Sequence, residues 1–236
     1  VTLETGRLAG FEALVRWRHG DRGLVWPEEF IPIAEENGLI DPISSWVLDA
    51  ACKQVAEWQR DFAREKPIGV SVNVSTRSFA QPEFLDTIAS SVQRTGLAHG
   101  SLKLEVTEST IMGNAEASSE VLRGLRNLGV QLYIDDFGTG YSSLSYLHRF
   151  AVDALKVDRS FISKMNEHKQ RHDIVEAITN LAHGLGLQVI AEGVQTPEQV
   201  ARLRDMGCAY GQGYMFSRPL DADYARALIA EDPVWR

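Results

Sequence analysis

Short apolar stretches alternate with longer amphipathic stretches along the whole chain. Strands are predicted where an apolar run is short, at residues 8–17, 68–75, 101–108, 130–136, 152–158, 187–193 and 210–216. Helices are predicted where apolar residues recur at helical spacing, at residues 27–37, 42–64, 82–95, 115–128, 169–185, 197–206 and 221–231. Strand and helix in strict turn are typical of a parallel sheet covered by helices.

The number of these units indicates the kind of sheet. About seven of them in one uninterrupted chain favour a closed barrel over an open sheet. No Gly-x-Gly-x-x-Gly turn follows the first predicted strand, which weakens the open-sheet alternative. We therefore predict an α/β fold, a modified (β/α)8 TIM-type barrel, as a single domain over residues 1–236.

Within several predicted strands, apolar and polar residues alternate, although a strand buried on both faces usually reads as a continuous apolar run. In residues 68–75, Val70 and Val72 share one face, and Ser71 and Asn73 share the other. Because the aliphatic faces can pack on the outer helices, the polar faces are expected to point into the barrel. The expected inner-face residues are Glu12, Asn73, Glu105, Asp135, Lys156, Asp158 and Glu192.

Each of these residues alone has a structural explanation, as a salt-bridge partner or an internal hydrogen-bonding group. Together they place about five carboxylates against one or two cations, and burying such an imbalance costs several kcal/mol per charge. Divalent ions would neutralise it, and carboxylate and amide oxygens without Cys or His suit Mg²⁺ or Mn²⁺. The neighbouring Asp135 and Asp136 can bridge two ions or serve them separately. We therefore predict a two-ion site, of the kind that promotes in-line displacement at phosphorus.

Other charged residues are assigned by their chemistry. Lys156 would stabilise the attacking hydroxide or the charge of the transition state, and Arg16 is suited to phosphate oxygens. The histidines are expected at the surface rather than as metal ligands: His19, His99, His148, His168, His172 and His183.

Composition restricts the class of protein. The net charge of −8 and the lack of a dense Lys/Arg run argue against binding a DNA or RNA polymer. No apolar run reaches the roughly 18 residues that a bilayer crossing needs, so no membrane contact by this domain is expected. Cys52 and Cys208 are interpreted as reduced, buried thiols, which favours a cytoplasmic setting even if a parent protein is membrane-anchored.

Seven sequence motifs resemble those of one known family, the EAL domains, which are bacterial phosphodiesterases of the second messenger cyclic di-GMP. The tripeptide Glu-Ala-Leu alone carries little information, but the motifs follow in the family's order and cover nearly the whole chain. They are FEALVRW, SVNVS, LEVTES, DDFGTGYSSL, LKVDRSFI, AEGVQT and GQGYMFSRPL.

The resemblance implies a role for each matching residue. Ligands of a first metal ion would be Glu12, Asn73, Glu105 and Asp135, with Asp135 bridging and Asp136 close to the second ion. The catalytic residues would be Glu12, Lys156, Glu192 and Asp158, with Glu192 as a metal-site carboxylate or general base. Substrate contacts would come from Arg16, Leu14, Asp158 and Gln212. Glu108 would anchor the loop after Asp136.

The implied reaction is hydrolysis of cyclic di-GMP to linear pGpG with two Mg²⁺ or Mn²⁺ ions, and Ca²⁺ is expected to inhibit it. The resemblance also implies a homodimer through the loop and helix after Asp136, with sensor or cyclase domains possible in the parent protein. Two alternatives stay open, a catalytically silent cyclic di-GMP sensor and a barrel enzyme of another class.

The chain departs from the family pattern in two places. Gln195 stands where many active members have Glu, and we expect at most a modest loss of activity from it. The family also has a strand upstream of the residue that corresponds to Val1, so this chain is expected to be a piece of a longer protein.

Overall fold

A computed structural model describes residues 1–113, 115–139, 150–166 and 169–235. The strands within these ranges are Gly10–Ala13 (β1), Trp17–His19 (β2), Gly23–Val25 (β3), Gly69–Asn73 (β4), Leu102–Thr107 (β5), Gln131–Phe137 (β6), Ala154–Val157 (β7), Gln188–Ala191 (β8) and Tyr210–Gly211 (β9). The helices are Pro27–Asn37 (α1), Ile40–Asp61 (α2), Thr76–Phe79 (α3), Phe84–Thr95 (α4), Glu108–Met112 (α5), Ala115–Asn127 (α6), Arg159–Ile162 (α7), Lys169–Gly184 (α8), Pro197–Asp205 (α9) and Ala222–Glu231 (α10).

Seven of the strands form one sheet in the order β1-β4-β5-β6-β7-β8-β9, and every neighbouring pair is parallel. At the β9 edge, Thr2 pairs with Tyr210 in the antiparallel direction. The Thr2 N–H also donates to the Arg7 carbonyl at 2.9 Å, so residues 1–3 join β9 to the segment just before β1. The predicted barrel-type α/β architecture is confirmed. The strand expected upstream of Val1 stays a prediction.

Along each strand, alternate side chains pack against the outer helices, and those between them point into the barrel interior. Val70, Val72 and Leu104 are buried in the core that the helices cover. On β1, the ring centroid of Phe11 lies 5.3 Å from that of Trp58 on α2. The opposite faces of these strands therefore point inward, as predicted.

The structure corrects the predicted elements at three points. The first sheet strand ends at Ala13, and the chain then forms an antiparallel hairpin of β2 and β3 instead of continuing to residue 17. The last strand has only two residues, whereas residues 210–216 were predicted. The short helices α3, α5 and α7 follow the ends of β4, β5 and β7 and were not predicted.

None of the helices in the described residues combines the length and the apolar character needed to cross a bilayer. Cys52 and Cys208 are free and buried, as predicted.

Lys103 is a half-buried lysine on the inward face of β5, and it has no acidic partner among the described residues. Its Nζ contacts the Ser101 carbonyl at 3.4 Å, and no carboxylate of the described residues lies within 4 Å of it. The amine lies against Gly69, where an added Cβ would come within 1.7 Å of Nζ. Burial lowers the pKa of Lys103 to about 8. The folded protein therefore resists protonation of this amine more than the unfolded chain does.

This shift predicts a pH-dependent stability. Between pH 8 and the higher pKa of the unfolded chain, the unfolded state binds more protons, so the free energy of unfolding should rise with pH. Below pH 8 both states are protonated and the full penalty remains. Lys103→Met should therefore stabilise the protein at pH 7 by about 2–3 kcal/mol and flatten the rise.

Urea denaturation at pH 7, 8, 9 and 10 measures the Lys103 effect. Lys53→Met, at an exposed position of α2, is the control and should match the wild type. A Lys103→Met protein that is less stable than the wild type at pH 7 would show that the ammonium has a favourable partner.

Candidate active site

One lysine lies among four carboxylates inside the barrel. Lys156 is 1% exposed, and its Nζ lies 2.6 Å from both Glu105 Oε2 and Glu192 Oε1. The same nitrogen lies 3.3 Å from Asp135 Oδ1 and 3.7 Å from Glu12 Oε2. A single ammonium cannot neutralise four carboxylates, so the site retains a strong attraction for further positive charge.

Parallel strand pairing brings these side chains together. Asn73 is paired with Glu105 across β4 and β5, and Lys156 with Ile190 across β7 and β8. Glu192 lies two residues beyond Ile190, and it therefore has the same side-chain direction. All the cluster residues lie toward the carboxyl ends of the strands, which is the end where TIM-type barrels place their active sites.

Two side-chain amides orient Glu12. Asn73 Nδ2 donates to Glu12 Oε1 at 2.7 Å, and Gln212 Nε2 donates to Oε2 at 2.7 Å. Burial alone would raise the pKa of Glu12, but the ammonium of Lys156 and these amide hydrogen bonds outweigh it and lower the pKa. Glu12 is therefore held ionised and in a fixed orientation.

The pKa shifts of Glu105 and Lys156 reflect the repulsion among the clustered carboxylates. Burial raises the pKa of Glu105, and the nearby Glu12 and Asp135 carboxylates raise it further against the opposing effect of Lys156. Burial would lower the pKa of Lys156, but the surrounding carboxylates hold it well above its ordinary value. Lys156 is therefore always charged, and the remaining repulsion must be relieved by protons or by added cations.

Asp135, Asp136 and Glu192 form a candidate divalent-metal group. One oxygen from each lies within 4.8 Å of the others. Asp136 has a φ of 53°, a left-handed conformation that is uncommon outside glycine and often found at functional sites. Its N–H donates to Asp135 Oδ1 at 3.0 Å, and burial together with the Asp135 and Asp158 carboxylates raises its pKa. An all-oxygen donor set fits a hard divalent ion.

A second group that could hold an ion lies on the surface of α8 and was not singled out in the sequence. It consists of His172, Asp173 and Glu176, with His172 Nδ1 3.6 Å from Asp173 Oδ1. These side chains are largely exposed and come from one helix. His148 and His168 lie outside the described residues.

Some predicted site residues do not join the cluster directly. Asp158 Oδ1 accepts a hydrogen bond from the Ser160 N–H at 2.9 Å and caps α7. Leu14 lies just beyond β1 and is 42% exposed. Glu108 begins α5, and much of the loop that it was expected to anchor, residues 140–149, lies outside the described part of the chain.

A contact near the predicted phosphate-binding arginine was missed in the sequence. The guanidinium carbon of Arg16 lies 4.4 Å from the centroid of the Trp26 ring. The available signal was a tryptophan placed directly before Pro27, where the backbone of the preceding residue is restricted.

Comparison of the sequence with known protein families identifies the family of this chain. The sequence model of the EAL domain matches residues 1–219. The chain belongs to the EAL domain family. The resemblance seen in the sequence motifs is thereby confirmed.

Relatives of this EAL domain include two proteins of Pseudomonas aeruginosa. The chain is 45% identical over 220 residues, 93% of its length, to cyclic di-GMP phosphodiesterase NbdA. It is 41% identical over 230 residues, 98% of its length, to the bifunctional diguanylate cyclase/cyclic di-GMP phosphodiesterase MucR. The EAL domain spans only 28% and 33% of the lengths of these relatives.

A solved structure extends the comparison to three dimensions. The PaMucR phosphodiesterase in complex with c-di-GMP superposes on this EAL domain with a TM-score of 0.89 and 41% sequence identity. The match covers 95% of this chain and 90% of the other. The predicted fold class is confirmed by this likeness as well as by the sheet order.

Proposed function

We propose that this EAL domain is a divalent-metal-dependent phosphodiesterase that hydrolyses cyclic di-GMP to linear pGpG. The observation that carries the proposal is the buried Lys156 ammonium surrounded by four carboxylates at the carboxyl ends of the strands. Two relatives named as cyclic di-GMP phosphodiesterases and a related structure that holds c-di-GMP support the choice of substrate.

The oxygen atoms of the cluster would hold the metal ions. We assign Glu12, Asn73, Glu105 and Asp135 to a first ion, and Asp135, Asp136 and Glu192 to a second. Mg²⁺ or Mn²⁺ bound there would polarise the phosphodiester and make water more acidic. Ca²⁺ should occupy the same ligands but inhibit turnover.

Each protein group has a defined task in the reaction. A water oxygen attacks phosphorus, one ester P–O bond breaks, and the leaving sugar oxygen takes up a proton from solvent as the ring opens to a linear dinucleotide. Lys156 Nζ keeps its proton and stabilises the negative charge that develops at the attacking oxygen. Glu192, which contacts Lys156, would receive the proton of the water. Arg16 and Leu14, just beyond β1, would contact the substrate, as would Asp158 and Gln212, the latter of which donates to Glu12.

The proposed activity is tested by incubating the protein with cyclic di-GMP and Mg²⁺ or Mn²⁺ and separating the products by chromatography. We expect pGpG, and we expect Ca²⁺ to support binding without product. Binding by calorimetry with no pGpG under any metal would instead identify a sensor domain. Competition by unrelated phosphoesters would indicate another class of barrel enzyme.

Three further expectations accompany this function as proposals. The chain is expected to act as one EAL domain of a longer protein, in the cytoplasm. Dimerisation through the loop and helix after Asp136 is also expected, but residues 140–149 lie outside the described ranges.

A further inference from the structure

Trp26 and Arg16 form a pair beside the end of β1. The guanidinium carbon of Arg16 lies 4.4 Å from the centroid of the Trp26 ring, within the range of a cation–π contact. Trp26 is 51% exposed although it is a large aromatic residue. The ring therefore contacts the guanidinium while much of its surface remains open to solvent.

The position of Trp26 is set by its backbone. It directly follows β3, whose Val25 is paired with Trp17 of β2. It also directly precedes Pro27 at the start of α1 and has φ −87° and ψ 153°, the extended conformation favoured before proline. The indole is thus presented from a backbone that is constrained on both sides.

Arg16 is held without being neutralised. One of its nitrogens, Nη1, donates to the Val15 carbonyl at 2.7 Å. Among the described residues, no carboxylate lies within 4 Å of its guanidinium. Arg22 in the same hairpin region differs, because it is paired with Glu29. The remaining N–H groups of Arg16 are therefore available for an external anion, and the indole restricts the guanidinium without competing for its charge.

We propose that Trp26 is a positioning residue for substrate, holding the Arg16 guanidinium in the orientation that receives a phosphate of the cyclic dinucleotide. This inference rests on the proposed function. Trp26 acts through Arg16 and takes no part in the chemical step. Its loss should therefore weaken binding and leave the chemical step intact.

A double-mutant cycle tests the pairing, using Arg16→Ala, Trp26→Ala and the double variant. The dissociation constant for cyclic di-GMP is measured by calorimetry with Ca²⁺, and KM and kcat are measured with Mg²⁺. Trp26→Ala should raise the dissociation constant and KM about three- to fivefold with kcat unchanged. In the Arg16→Ala background, the same substitution should have no further effect, because its target is gone.

Two further substitutions show whether the aromatic ring of Trp26 or only its apolar volume is needed. Trp26→Phe keeps a ring and should restore most of the affinity, whereas Trp26→Leu keeps apolar volume and should behave like Trp26→Ala. Trp46→Ala, at an exposed position of α2, is the matched tryptophan control and should leave binding unchanged. Melting temperatures of all variants check that the hairpin still folds.

The outcomes distinguish this inference from the proposed function. Equal losses from Trp26→Ala in both backgrounds, or full affinity in Trp26→Leu, would overturn the positioning role while leaving the phosphodiesterase assignment intact. A wild-type protein that neither binds nor cleaves cyclic di-GMP would overturn both. The pairing is supported if Trp26→Ala lowers the affinity only when Arg16 is present, and if Trp26→Phe restores the affinity but Trp26→Leu does not.

Discussion

Replacing Lys156 by methionine is expected to lower the turnover of cyclic di-GMP at least about 10²–10³-fold, because the charged donor that faces the attacking oxygen is lost. Binding of cyclic di-GMP should change little, since the proposed substrate contacts lie elsewhere. Formation of pGpG under saturating Mg²⁺ measures turnover, and calorimetry with Ca²⁺ measures binding. A Lys156→Met protein with normal turnover would refute the role given to this lysine.

The melting temperature of the Lys156→Met protein should also depend more strongly on divalent ions than that of the wild type. Without Lys156, four carboxylates within 4 Å of its Nζ lose their cation, and breaking a buried ion pair costs about 3–5 kcal/mol. In EDTA the melting temperature should therefore fall well below that of the wild type, and Mg²⁺ should recover much of the difference. Lys53→Met is the control. If Mg²⁺ raised the melting temperature of neither Lys156→Met nor the wild type, ions would not bind at these carboxylates.

Asp135→Asn is expected to remove turnover and to weaken Mn²⁺ binding by more than about 100-fold, a larger loss than is typical for groups that only support ligands. The substitution preserves the shape of the side chain but removes a charge from the group with Asp136 and Glu192. Calorimetric titration with Mn²⁺ measures the affinity, and chromatography of pGpG measures the activity.

The surface group on α8 provides the matched control for Asp135. Asp173→Asn removes a carboxylate from the exposed group with His172 and Glu176, and it should leave both Mn²⁺ affinity and turnover unchanged. If Asp173→Asn abolished Mn²⁺ binding and Asp135→Asn did not, the ion would belong to α8 and the site in the barrel would be misassigned.

The convergence of the site could be predicted because it depends on strand periodicity. Glu105 and Lys156 alternate with buried leucines and valines on β5 and β7, so both side chains point into the barrel from parallel strands of one sheet. Which carboxylates contact Lys156 most closely depends on side-chain rotamers, which no sequence pattern specifies.

Other features depend on local geometry that the pattern conceals. The apolar alternation of residues 8–17 continues past Ala13, and no glycine or proline occurs until Gly20. The sequence therefore did not indicate that β1 ends at Ala13. The left-handed backbone of Asp136 and the cap that Asp158 forms on α7 arise from residues that the sequence showed only as acidic. The contact between Trp26 and Arg16 requires the hairpin, so the tryptophan before Pro27 did not by itself identify its partner.

The hydrogen bond between Gln212 and Glu12 joins residues 200 positions apart, and the other cluster residues come from the strands between them. Because the proposed metal ligands run from Glu12 to Glu192, a fragment of the barrel that lacks either end of this range cannot contain the complete set. Uptake of divalent ions would therefore report that the strands carrying the proposed ligands have assembled. Removal of the ions by a chelator should lower the free energy of unfolding. In a refolding experiment, tight ion binding should return only when the last strand that carries a proposed ligand has docked.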